Sequence, residues 1–356
     1  MSIYSEVIDI ERQSNGLRIL IAGGAGFIGS ALGAALAGNG HTVLSIDNIN
    51  DYYSPQYKLH RLERDGFAAA DIAGCVSAPG VTVARSETQP THYFSCVDIC
   101  EASMLDEVSG FEPDVVVNLA AQPGVRFTQL HPMSAIRNNI IGFFNLIEFT
   151  RSSTACRLLY ASSSSVYGNN VTLRYSESDN CNDPLSLYAA TKLCDEAIAA
   201  AYSNSYGLDT IGVRMFSVYG PWGRPDMAPL IFTDSITRGR LIELYSGGMQ
   251  TRDFTYIDDV VESLCRLVML PVTAGHHELY NIGSGNPVRV CELLSMIERK
   301  LGIKANYVNA PEQHIEARHT YADTSKLLVT TGYEPHTPLE DGIDAMLRWY
   351  QSYTPH

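Results

Sequence analysis

Apolar and polar positions along the chain alternate between two rhythms. The run Leu17–Ala22 is apolar and ends in glycines, a helical repeat follows from Phe27 to about Asn39, and Thr42–Ile46 is a second apolar run. This is the opening of a βαβ unit. Further short apolar runs at 93–97, 115–119, 158–162 and 210–216 alternate with helical stretches near 101–109, 134–152 and 188–206. Such alternation predicts an α/β fold: a doubly wound parallel sheet with helices on both faces.

After Gly220 the rhythm shortens. A Pro-rich loop at 221–229 precedes helices near 230–239 and 258–270, a strand near 242–245, and later pieces at 278–282, 290–301, 304–308 and 338–350. The predicted division is a Rossmann-type cofactor domain at 17–220, with 253–282 packing back on it, and a smaller C-terminal substrate-binding domain at 221–252 and 283–350. Residues 1–16 read as an N-terminal extension. Residues 68–90, rich in Ala, Gly, Pro, Ser and Thr, read as an insertion or exposed loop.

Composition narrows the setting. With 356 residues and 45% hydrophobic content the chain can bury a sizeable core. The stretch 1–16 lacks a hydrophobic run, and no segment approaches the roughly 20 apolar residues of a membrane span, so a cytoplasmic protein without a membrane partner is expected. Eight cysteines without a C-x-x-C pair read as reduced packing thiols. A net charge of -14 argues against nucleic acid as a partner, so an anionic ligand must be gripped locally.

The first candidate chemistry lies between the first strand and helix. Gly23-Gly24-Ala25-Gly26-Phe27-Ile28-Gly29 gives the spacing G-x-x-G-x-x-G, which permits a tight turn and brings a pyrophosphate to the unpaired N–H groups of a helix start. Asp47, with Asn48 beside it, closes the second strand, where a carboxylate can accept two ribose hydroxyls and would repel a 2′-phosphate. The cofactor expected is therefore NAD. Asp98 and Ile99 at the end of the next strand are adenine-side candidates, and Leu119, Ala120 and Ala121 offer small residues beside the cofactor.

Tyr188 and Lys192 stand four apart in a helical stretch, on one face. An ammonium beside a phenol favours the phenolate, which turns a weak base into a usable one. The run Ser162-Ser163-Ser164-Ser165 lies at the carboxyl end of a predicted strand, where ligands of doubly wound sheets sit. Ser163 is the hydroxyl expected to hold the reacting oxygen. Tyr188 and Lys192 also count among the cofactor contacts.

These residues resemble those of extended short-chain dehydrogenases/reductases, most closely the UDP-glucuronate 4-epimerases. The likeness runs through Asp47-Asn48-Ile49-Asn50-Asp51-Tyr52-Tyr53, Leu119–Arg126 and Arg252-Asp253-Phe254, and its most specific stretch is Gly220-Pro221-Trp222-Gly223-Arg224-Pro225-Asp226-Met227-Ala228. The resemblance implies reversible inversion at C4 of UDP-glucuronate through a 4-keto sugar, with NAD regenerated in each cycle. Related decarboxylases and 4,6-dehydratases carry acidic residues where Ser164 and Ser165 stand, and neutral serines there argue for epimerisation. Arg224 is expected to fork the substrate carboxylate, with Ser217 and Ser164 as smaller donors and Arg126 as a second candidate. Arg252 matches the residue that binds the diphosphate, and Glu316 stands where the family has a ribose-binding Asp. His314, Glu316 and His319 lack a fourth ligand and read as a polar loop, with no metal expected. Long helices near 134–152 and 188–206 resemble a homodimer interface. Epimerisation of a neutral UDP-hexose, dehydratase or decarboxylase chemistry, and a non-catalytic NAD sensor are the alternatives.

Overall fold

The structure, a computed structural model, describes residues 16–353 apart from 154, 156, 171, 173 and 312–314. Almost all of the expected extension at 1–16, Cys156, and the stretch from Glu312 through His314 lie outside the described residues.

Eight strands form the main sheet: β1 (Arg18–Ala22), β2 (Thr42–Asp47), β3 (Ala84–Arg85), β4 (His92–Cys96), β5 (Val115–Asn118), β6 (Arg157–Ala161), β7 (Asp209–Met215) and β11 (His277–Ile282). Their spatial order is β11-β7-β6-β5-β1-β2-β4-β3, parallel except for β3. The central strands have no solvent-facing side, which explains their unbroken apolar runs: Ile19, Leu20, Ile21 and Ala22 are all fully buried. Helices Phe27–Gly38 and Ile257–Val268 close one face around Leu32, Leu36, Val260 and Leu264. Ala102–Val108, Gly142–Ser152 and Leu187–Tyr206 close the other around Leu105, Leu146 and Ala199.

The chain runs from β1 outward to β2 and β4, then returns to β5 on the opposite side of β1 and continues to β6 and β7. The reversal between β1 and β5 opens a crevice at the carboxyl ends of these strands, the place where doubly wound sheets bind ligands. Five shorter strands, β8 (Ser217–Tyr219), β9 (Leu241–Tyr245), β10 (Thr251–Tyr256), β12 (Pro287–Arg289) and β13 (Asn306–Ala310), make two small sheets. Helices Ala228–Thr237, Val290–Leu301 and Leu339–Ser352 pack with them around Leu293, Ile297, Ile343 and Met346.

The stretch 68–90 departs from the loop expected there. Ala69–Ser77 is a helix that buries Ile72 and Cys75 against Phe94, and Ala84–Arg85 pairs antiparallel with β4 as the sheet edge. Two apolar residues three apart suffice to dock so short a helix, too weak a period to stand out among small residues. The helix Gln56–Arg64 and the strands β8 and β10 were likewise absent from the sequence reading.

His92, on β4, is 1% exposed and hydrogen-bonds Ser45 Oγ through Nε2 at 2.9 Å. Burial, with a smaller contribution from the Arg64 charge, lowers the imidazole to about 4. A depressed value means that the stability it contributes is present above the ordinary histidine range and is lost as the pH falls toward 4, because the unfolded chain takes up a proton the folded chain refuses. Asp65 and Asp195 are both raised to about 6 and work in the opposite sense, so the comparison must be with a variant. We expect the parent's stability advantage over His92→Gln, measured by urea unfolding, to shrink by about 2 kcal/mol between pH 7 and pH 5.

Candidate active site

The glycine loop sits over the reversal point. Gly23 has φ +84°, and a Cβ there would lie 2.7 Å from Ala120 N, so neither its backbone angle nor the space admits a side chain. Gly29 faces the Gly23 carbonyl oxygen closely enough to exclude a Cβ as well. The N–H groups of Gly23 and Gly24 both donate to Ile46 O, at 2.8 and 3.0 Å, which ties the loop to β2. Gly26 begins the helix Phe27–Gly38 without a side-chain cap, which leaves its first N–H groups open to an anion. Close-packed glycines and an uncapped helix start at the reversal point fit a dinucleotide pyrophosphate.

Asp47 Oδ1 accepts from Ile49 N at 2.9 Å and from Lys58 Nζ at 3.0 Å. Lys58 also reaches Asn50 Oδ1 at 3.1 Å and is buried, so it aims the carboxylate. The sequence reading missed Lys58 because the helix that carries it was not recognised. Asn48 Oδ1 accepts from Asn50 N, and Asp98 Oδ1 from Cys100 N, each bracing its own turn. Ile99 is buried against Gly142. Asn118 Oδ1 accepts from Ala120 N and holds the turn Leu119–Ala121.

Tyr188 enters the crevice at the start of the helix Leu187–Tyr206, whose first turn is capped by Ser186 Oγ accepting from Ala189 N at 3.1 Å. One turn on, Lys192 is 1% exposed and donates to Asp195 Oδ2 at 3.0 Å. Burial disfavours its ammonium, but the charges of Asp195 and Tyr188 outweigh that and hold Lys192 above its ordinary value. Ser163 Oγ accepts from Ser165 N at 3.1 Å and donates to Ser165 Oγ at 3.2 Å, capping the short turn Ser164–Tyr167. The helix Leu187–Tyr206 is steadied from the side by Asn139, which donates to Thr191 Oγ1 at 3.0 Å and bonds both backbone groups of Gln122. Asn139 lies in a wide π turn, Ile136–Ile141, an irregularity that apolar spacing does not reveal.

Tyr188, Ser163, Ser164, Ser165, Ser217, Arg126, Arg224, Arg252 and Glu316 all line one cleft of about 910 Å³, which reaches Phe27 and Ile28 of the glycine loop. The expected cations do not stand idle within it. Arg224 forks Asp226 with Nε–Oδ1 at 3.0 Å and Nη2–Oδ2 at 2.6 Å, and Tyr52 OH donates to the same carboxylate at 2.8 Å. Burial works against the Asp226 charge, but Arg224 overrides it and keeps the carboxyl below its ordinary range. Arg252 Nη2 meets Glu316 Oε2 at 3.0 Å, and Arg126 lies 4.1 Å over the Tyr245 ring. Asp226 and Tyr52 both fall in motif stretches, yet their pairing across the cleft carries no local signal in the sequence.

Beneath the Arg224 loop is Arg61, fully buried. Its Nε and Nη2 donate to Trp222 O at 3.0 and 2.8 Å, and Nη2 also reaches Gly223 O at 3.2 Å. Its Nη1 donates to Tyr53 OH at 2.7 Å and to Ala25 O, in the glycine loop, at 3.4 Å.

Comparison with known proteins agrees with this geometry. Residues 19–283 match the model of the "NAD dependent epimerase/dehydratase family". Protein CapI of Staphylococcus aureus is 40% identical, over 95% of this chain and 99% of its own. UDP-glucuronate 4-epimerase 3 of Arabidopsis thaliana is 38% identical, over 96% of this chain and 78% of its own. The crystal structure of UDP-glucuronic acid 4-epimerase from Bacillus cereus, in complex with UDP-glucuronic acid and NAD, superposes with a TM-score of 0.80 at 28% identity, covering 95% of this chain and 100% of that one. A nucleotide cradle, a Tyr and Lys one turn apart on a buried helix, and full-length likeness to these proteins place the chain in the NAD-dependent epimerase/dehydratase family, beside its UDP-glucuronate 4-epimerases.

Proposed function

We propose that the protein interconverts UDP-glucuronate and UDP-galacturonate by NAD-dependent epimerisation at C4. The observation that carries this reading is the shared cleft in which Tyr188, Ser163, three candidate arginines and the rim of the glycine loop meet. Residues 17–220 and 253–282 would hold the cofactor, and 221–252 with 283–350 most of the substrate.

NAD, when bound, would supply the hydride acceptor for C4 and the source of its return. Gly23, Gly26 and Gly29 give its pyrophosphate room, and Asp47, aimed by Lys58, takes the adenosine ribose. Tyr188 removes the C4 hydroxyl proton and later gives it back, with Ser163 holding that oxygen once it turns from Ser165. Arg252 balances the diphosphate, with Glu316 between it and the ribose; Arg224 serves the carboxylate, with Arg126, Ser164 and Ser217 as further polar contacts around the sugar. A 4-keto uronate is a β-keto acid prone to lose CO₂. Ser164 and Ser165 place no acid beside it to protonate the resulting enolate.

A homodimer belongs to the same proposal, supported by exposed Leu130, Met133, Ile141, Phe144 and Tyr206 on the helices at 125–152 and 187–206. The described cysteines are free thiols, which supports a reducing compartment such as the cytoplasm. Among the described residues no helix is long and apolar enough to cross a membrane, and no three His, Cys, Asp or Glu residues gather as a metal site.

Incubation with UDP-glucuronate and separately with UDP-glucose, followed by chromatographic separation of products, tests the reading. UDP-galacturonate is the expected product. CO₂ release, a 4-keto-6-deoxy sugar, or conversion of UDP-glucose alone would each replace the proposal with a different activity.

A further inference from the structure

Asp195 lies one helical turn beyond Lys192, fully buried, with Oδ2 3.0 Å from the Lys192 ammonium. Its other oxygen, Oδ1, is buried with no hydrogen-bond partner among the described residues. A carboxylate in such a place is costly, since half of its hydrogen-bonding capacity goes unmet in a dry interior. Its one compensation is the same positive charge that the phenol of Tyr188 depends on.

We propose that Asp195 is a positioning residue that divides the Lys192 charge, drawing it away from Tyr188 and so setting the pH above which the base works. This rests on the reading of Tyr188 as the base. An ammonium aids a neighbouring phenolate through its net field, and an ionised carboxylate at hydrogen-bond distance cancels part of that field.

The other charges around Asp195 leave it this role. On its own helix stand Lys192, Tyr188, Cys194 and Glu196. Glu196 is already committed to Arg214 of β7, with Nε–Oε1 at 2.9 Å and Nη2–Oε2 at 2.8 Å, and to Ser162 Oγ at 2.6 Å. From β6 the fully buried Tyr160 faces the pair, its hydroxyl pushed well up, by burial first and then by Glu196 and Asp195, and so neutral. Burial raises Asp195 to about 6 against the pull of Lys192, so the carboxylate is ionised at neutral pH and the division of charge operates there.

The isosteric variant Asp195→Asn removes the negative charge and keeps an oxygen for Lys192. Tyrosinate absorbance of the NAD-loaded protein is titrated with pH, and the same titration of a Tyr188→Phe counterpart is subtracted, for the parent chain and for Asp195→Asn. The difference isolates the Tyr188 phenol. Its midpoint is expected to fall by roughly half to one pH unit in Asp195→Asn, since the full ammonium then faces the phenol. Asp195→Glu, which restores the charge, should return toward the parent midpoint. The acid limb of turnover should move with the absorbance. An unchanged or raised midpoint in a folded, NAD-binding Asp195→Asn overturns the proposal. A parent chain that yields no UDP-galacturonate overturns the functional reading instead, and the absorbance comparison still decides the role of Asp195.

Discussion

Replacing Tyr188 with Phe is expected to lower turnover of UDP-glucuronate by roughly 10²–10⁴-fold while leaving NAD bound. The substitution removes one oxygen at the mouth of the crevice and leaves the ring in place. Gly23 and Gly29 pack against Ala120 and the Gly23 carbonyl rather than against Tyr188, and Lys192 keeps its bond to Asp195, so the glycine loop should be undisturbed. Loss of the proton carrier alone should therefore separate chemistry from cofactor binding. The check is kcat together with the NAD content of the purified variant. Near-parental turnover would show that another group moves the C4 proton.

Arg224→Ala should produce the second large effect, a fall of about 10²–10³-fold in kcat/KM for UDP-glucuronate, in line with truncating one partner of a partly buried, hydrogen-bonded charge pair. Two changes add. The fork that can face a sugar carboxylate is gone, and Asp226, which Arg224 holds at 2.6–3.0 Å, is left uncompensated in the same cleft. An unpaired Asp226 would repel the uronate. Arg224→Ala combined with Asp226→Ala should therefore recover part of the loss, which a simple missing contact would not. Residual activity on UDP-glucose provides the comparator, because a neutral hexose loses no ion pair. A variant that handles the uronate as the parent does would remove Arg224 from carboxylate recognition.

The parts of this molecule that repeat a simple period could be read before any coordinates. Ile19–Ala22 and Val115–Asn118 are buried on both sides and declare themselves as unbroken apolar runs, and Val290–Leu301 begins and ends where its spacing places it. Elements held by context were less visible. The three-residue strand Ser217–Tyr219 exists because Thr251–Tyr256 lies beside it, and the helix Gln56–Arg64 is mostly polar, docking through Leu62 and the buried Arg61 and Lys58. The candidate site divides the same way. Tyr188, Lys192, Ser163 and the glycines stand out in the sequence because the chemistry proposed for them depends on spacing along the chain. Asp226 against Arg224 and Tyr52, Lys58 on Asp47, and Asn139 under Thr191 depend on what folding brings together.

Arg61 has a consequence for how substrate choice can change. One guanidinium grips the carbonyls of Trp222 and Gly223, immediately ahead of Arg224, and also that of Ala25 among the nucleotide-loop glycines. The stretch proposed to discriminate between sugars thus hangs from the stretch proposed to retain the dinucleotide. Reshaping the former to admit a new sugar pulls on the latter, so a switch of preference that moves the backbone at 222–224 should carry a penalty in nucleotide retention, whereas one made by side-chain exchange at the cleft wall should not.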